Sequence, residues 1–178
     1  MSDLAARLSQ IEERLKITED ELELRNLMIR YGFAVDCGDI EAAVACHSEN
    51  AIYTVSSPTA GRDDYDSGDL HLNGHQAIAD MLQSDMHQSL IPNCAHTVGP
   101  CTIELKGDNA RATGYSRLYH RHEDGFNLMR LAVNEWCFNR SPNGWLITAR
   151  ESRLIGEPEA KELMSRAAFY PATYNKKV

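Results

Sequence analysis

Three things are scarce in this sequence. Cations are outnumbered: 18 Lys and Arg face 26 Asp and Glu, for a formal net charge of -8. Neutralising a phosphate backbone needs clustered Lys and Arg. The pair Lys176 and Lys177 is too little for that, so neither a nucleic-acid nor a membrane-surface partner is expected. Long apolar runs are also missing. None approaches the roughly 18 residues that span a bilayer, and the opening MSDLAARLSQIEERLK has no apolar segment of a secretory signal. Paired cysteines are absent too: the five, at 37, 46, 94, 101 and 137, are odd in number and form no Cys-x-x-Cys. Reduced thiols in a cytoplasmic protein are the expectation. No Gly-rich phosphate loop follows a strand into a helix.

What is present is an ordinary globular composition, 43% hydrophobic over 178 residues, enough for one domain with a real core. A single domain over 1–178 is expected, with an N-terminal helix at about 3–17 and a C-terminal helix and tail at about 158–178. Leu4, Leu8, Ile11 and Leu15 make a narrow helical stripe. Thr18 with Glu21 reads as a capping box opening a second helix that stops at Gly38. Leu24, Leu27, Met28, Tyr31 and Val35 share one face of it. Leu22, Ile29 and Phe33 lie nearly opposite, which predicts a helix covered on both sides. A short helix (IEAAVACHS), a strand (AIYTVSS), a polar loop over 56–73 and a helix (HQAIADMLQSDM) follow. From Cys94 the pattern is strand and turn: CAHTVGPCTIEL, ARATGYSRLYHRH, LMRLAVNEWCFNR and WLITARESRLI, joined at Gly107, Gly125 and Asn143-Gly144. Helices followed by an antiparallel meander predict an α+β fold.

The order of YGFAVDCGD, AHTVGPCTIELKGDNARATGYSRLY and NGWLITAR resembles the SnoaL-like branch of the nuclear transport factor 2-like superfamily, over about residues 19–155. The resemblance implies a cystatin-like, cone-shaped barrel: a bent antiparallel sheet wrapped around helices, with one open mouth. The pattern is most similar to bile-acid 7α-dehydratase, scytalone dehydratase and dehydrochlorinase-like enzymes. In those, a helix-end Asp pairs with a His on the next hairpin, which falls on Asp36 and His96. A Tyr five residues before the Asp falls on Tyr31, and an Arg on the last strand falls on Arg153 or Arg150. Pro100 stands where the family often has Asn.

The residues themselves support parts of this. An acid near a helix C-terminus gains nothing from the helix dipole, so Asp36 needs a partner or a role. A carboxylate–imidazole pair suits proton abstraction from carbon, because the carboxylate stabilises the imidazolium that forms. Tyr31 and Asp36 lie about 140° apart on an ideal helix, so they share a pocket only if it wraps the helix. Asn134 is a candidate donor to a substrate oxygen. Tyr53, Tyr119 and Trp136 are candidate pocket walls. Arg150 and Arg153 fall on opposite strand faces, so one at most points inward. His71 with His75, His120 with His122, and the acidic run at Asp63, Asp64 and Asp66 lack the third ligand or the loop chemistry of a metal site. No metal and no cofactor are expected.

The expected activity is therefore a cofactor-independent lyase or isomerase, most of all a dehydratase. Its substrate would be a small apolar cyclic molecule of steroid-, polyketide- or aromatic-like type, held in the barrel cavity. The alternative is a non-catalytic ligand-binding or structural subunit, like the β subunit of ring-hydroxylating dioxygenases. An Asp36–His96 contact within about 3.5 Å, facing an apolar cavity of about 300 Å³ or more, discriminates the two. The N-terminal stripe predicts a homo-oligomer, trimer or dimer.

Overall fold

In a computed structural model, residues 2–56 and 68–169 are described. The acidic run at 63–66 and the tail aromatics Tyr170 and Tyr174 lie outside them. The chain runs α1 (Ser2–Cys37), α2 (Ile40–Ala45), β1 (His47–Val55), β2 (Leu70–Asn73), α3 (Gly74–Gln83), α4 (Asp85–Gln88), β3 (Cys94–Lys106), β4 (Asn109–His122), β5 (Gly125–Ser141), β6 (Gly144–Leu154) and α5 (Pro158–Ala168).

One six-stranded sheet, in the order β2-β1-β6-β5-β4-β3, forms the frame. All neighbours are antiparallel except β1 and β6, which run parallel. Register shifts between Val98 and Cys101, Leu118 and Tyr119, and Cys137 and Phe138 let the long strands bend. The β3–β6 meander follows the turn glycines. Gly107, Gly125 and Gly144 all have positive φ, which an L side chain avoids.

Two expectations need correcting. The N-terminal stripe and the second helix are one 36-residue helix. No Gly or Pro interrupts residues 3–31, and the Thr18 hydroxyl donates back to Arg14 O at 3.0 Å instead of capping a new start. The helix is also covered on one side only. Leu24, Leu27, Met28, Tyr31 and Val35 are buried, whereas Leu22, Ile29 and Phe33 are exposed. A third difference is local: the segment read as loop contains β2, added as an edge strand.

The core lies between α1 and the sheet, with α3 closing one end: Leu24, Ile78, Leu82, Trp136, Phe138 and Ile147 are fully buried. The other face of β5 is covered by α5, where Val133 meets Ala160 and Leu163. Opposite faces of β5 thus serve two layers, as its period of two requires. Two sets of polar contacts fasten α1. Near its middle, Asp20 accepts from Arg140 at 2.6 Å and from Trp145 Nε1 at 3.2 Å, while Glu23 accepts from Trp145 N at 3.1 Å. Near its C-terminus it meets β3, described below.

Gly114 stands opposite Cys101 at the β3 bulge. A Cβ there would lie 2.5 Å from Cys101 Sγ and 3.1 Å from Pro100 O. Gly114→Ala should therefore destabilise the protein by about 1–3 kcal/mol through overpacking, read as a lower denaturant midpoint at unchanged slope. His47, at the α2–β1 junction, is 2% exposed. Burial, reinforced by the Arg150 charge, pushes its imidazole down to about 4. The unfolded chain therefore binds this proton more readily than the folded one. The stabilisation is complete above the ordinary His value of 6.5 and is lost as pH falls from there towards about 4. The loss is roughly 3 kcal/mol at 1.36 kcal/mol per pH unit. Equilibrium unfolding across that window should show the decline, and His47→Gln should flatten it.

Candidate active site

Asp36 sits in the last turn of α1 and His96 near the start of β3. Asp36 Oδ1 lies 2.6 Å from His96 Nδ1, and Oδ2 accepts from the His96 backbone N–H at 2.8 Å. Both carboxylate oxygens are engaged by one residue, so the imidazole is fixed in place and orientation. With Nδ1–H held by the carboxylate, Nε2 is the nitrogen left to act on a ligand. Gly32 makes this approach possible: a Cβ on it would lie 3.1 Å from His96 O. The same α1 turns therefore come against β3 where the pair forms.

Cys94 completes a three-residue cluster, with its thiol donating to Asp36 Oδ1 at 3.5 Å. Burial and the Asp36 charge push that thiol up to about 11. It is a protonated hydrogen-bond donor, not a thiolate nucleophile. Asp36, Cys94 and His96 are the described residues whose ligand-type atoms come within 4.8 Å of one another. His71 and His75 are spent on Thr54 and on the His47 carbonyl.

His96 lines a cavity of about 170 Å³ between the concave sheet face and the helices α1, α3 and α4. The Asp36–His96 contact meets the distance set out above, and the volume falls short of the roughly 300 Å³ expected with it. Its volume is close to that of a cavity taking one benzene ring. Met81, Met86 and Met129 line the cavity with Val55, Leu70 and Leu90. Tyr31 and His96 both face it, so it does wrap the end of α1. Asp36 does not line it and reaches a ligand only through His96.

The other residues singled out from sequence divide clearly. Arg150 lines the cavity; Arg153 turns away into ion pairs with Asp69 and Glu151. The Arg150 guanidinium carbon lies 4.1 Å from the Trp136 ring centre, 4.6 Å from that of Tyr53 and 5.4 Å from that of Tyr31. An aromatic cup of this kind holds a cation in apolar surroundings. Asn134 is fully buried behind it, accepting from Arg150 Nε at 2.8 Å and donating to Ser116 Oγ at 2.5 Å. Tyr53 and Trp136 line the cavity, and Tyr119 does not. Tyr31 stacks edge-on against His47 and Trp136. Burial drives its phenol well above the ordinary range despite the opposing Arg150 charge, so it stays a proton donor.

One residue escaped the sequence reading. His87, on α4, stacks on His96 with ring centres 5.9 Å apart and planes 14° apart. It is 8% exposed, lines the cavity, and has no partner for Nδ1 among the described residues. Burial first, and the neighbouring His96 second, push its pKa down. The local signal was only Ser84 capping a four-residue helix; the stack on His96 exists only in three dimensions.

A family model for the SnoaL-like domain matches residues 16–151. An NTF2-like protein with a cystatin-like fold from Novosphingobium aromaticivorans is 33% identical, over 88% of this chain and 96% of its own, with a TM-score of 0.77. Aln2 from a Streptomyces species shares the fold at 15% identity over 84% of this chain and 96% of its own, with a TM-score of 0.65. So does a candidate β subunit of an aromatic-ring-hydroxylating dioxygenase from Novosphingobium aromaticivorans, at 14% identity over 79% and 91%, with a TM-score of 0.61. No curated protein matches the chain. No helix among the described residues is long and apolar enough to cross a membrane. By the span of that match and by its 33%-identical relative, the chain belongs to the SnoaL-like family of the NTF2-like superfamily.

Proposed function

We propose that this protein is a cofactor-independent lyase or isomerase, most of all a dehydratase, acting on a small cyclic hydroxy-carbonyl substrate. The observation that carries the reading is the 2.6 Å contact of Asp36 with His96, which lines an apolar cavity. Nε2 of His96 takes the proton from the carbon next to the substrate carbonyl, and Asp36 stabilises the imidazolium that results. Arg150 and the protonated Tyr31 hydroxyl hold the oxygen on which charge builds up. The imidazolium then passes its proton to the departing hydroxyl. Water leaves, a carbon–carbon double bond forms, and the enzyme returns to its starting state. His87, whose pKa burial lowers, adds no like charge beside the imidazolium. A cavity of about 170 Å³ favours a single ring inside, with any larger body outside the mouth.

A second reading is a non-catalytic ligand-binding or structural subunit. It rests on the fold shared with the candidate dioxygenase β subunit, and fold alone does not carry function.

The test is a turnover screen with monocyclic β-hydroxy ketones and hydroxysteroids. Asp36→Asn and His96→Ala should each lower turnover about 10²–10⁴-fold, with near-ultraviolet circular dichroism unchanged. Equal activity in wild type and both variants, or none in any of them, sinks the catalytic reading.

A further inference from the structure

The first half of α1 stands away from the body: residues 3–16 are all exposed. Along it Leu4, Leu8, Ile11, Leu15 and Leu22 are 74%, 54%, 59%, 55% and 56% exposed on one side. Their spacing of 4, 3, 4 and 7 is a heptad, with Leu8, Leu15 and Leu22 at a and Leu4, Ile11 and Thr18 at d. A lone helix of this length is marginal in water, and such a seam normally has a cover. Leu24, Leu27 and Met28 point into the body from roughly the opposite side, which leaves the seam open. The seam ends at the next d position, where Arg25 donates to Cys101 O at 3.2 Å.

The charges beside the seam say what covers it. The g positions are Arg7 and Arg14, and the e positions one heptad on are Glu12 and Glu19, all exposed. In a parallel, in-register coiled coil each g residue meets the following e residue of its neighbour. That sets Arg7 against Glu12 and Arg14 against Glu19, in both directions at every interface. An antiparallel pairing sets Arg against Arg and Glu against Glu. The outer face mixes Glu13 with Lys16 and Asp3 and lacks the cationic surface of a helix that lies on lipid. We infer that α1 assembles this chain with further copies of itself through a parallel, in-register coiled coil over Leu4–Leu22. Leu at a with Ile11 among the d positions shifts the preference from two strands to three or four, with one body hanging from each helix.

Sedimentation of the full chain should give three or four times the 20.0 kDa chain mass. Leu8→Lys with Leu15→Lys touches no core residue, and should reduce the mass to that of one chain with the near-ultraviolet spectrum of Trp136 and Trp145 unchanged. Arg7→Glu with Arg14→Glu should raise the dissociation midpoint concentration at least tenfold at low salt. Adding Glu12→Arg and Glu19→Arg should restore it. In a Cys37→Ser background, Leu4→Cys should form a disulfide between copies, since only the parallel register brings position 4 to itself. A monomeric wild type, assembly that survives the two lysines, or no cross-link at position 4 overturns the inference. A two-chain mass overturns the higher-order bundle.

Discussion

The Asp36 carboxylate is the pin on which the site depends. It lies near the C-terminal end of a long helix, where the dipole works against an acid by about 0.3–1 kcal/mol. What holds it there is a pair of hydrogen bonds, from the backbone and the ring of His96. Each bond to a charged acceptor is worth about 1.5–3 kcal/mol net, so the pairing outweighs the dipole. The pin joins α1 to β3 and at the same moment sets the tautomer of the imidazole. Structure and chemistry are coupled through one side chain, and Gly32 is the steric condition for it.

The rest of α1 is arranged so that the pin lands correctly. Asp20 and Glu23 tie the helix to the β5–β6 hairpin through Arg140 and Trp145. Leu24, Leu27, Met28 and Tyr31 then fill the space between helix and sheet. A helix held at two points, with close-packed side chains between them, has little freedom to slide. That rigidity lets a hydrogen bond between residues sixty positions apart keep its geometry.

The cavity is apolar, and burial acts on the ionisation of two of its polar groups. Tyr31 stays protonated because it is buried, and His87 stays neutral for the same reason. Arg150 lies among three aromatic rings and is aimed by the fully buried Asn134. Two imidazoles, a phenol and a guanidinium thus line one cavity of about 170 Å³. The proposed acid–base chemistry on carbon draws on such a set, with neighbouring groups in different environments.

The sequence by itself determined the elements and their class. Period-two alternation from Cys94 onward and glycines at the hairpin turns dictate strands, and a 3.6-residue pattern dictates α1; these are local signals, set by backbone sterics and side-chain spacing. It also marked Asp36, as an acid with no local reason to be there. Only tertiary structure decided what Asp36 meets, which of Arg150 and Arg153 turns inward, and that His87 stacks on His96. Those outcomes depend on how far each strand bends at its bulges and on which helix closes over it, and no short window of residues encodes that. The join at Thr18 lay between the two levels. A capping box and an uninterrupted helix are both compatible with those residues, and the continuous hydrogen-bond ladder was the arrangement taken up, leaving the leucine seam on one unbroken helix.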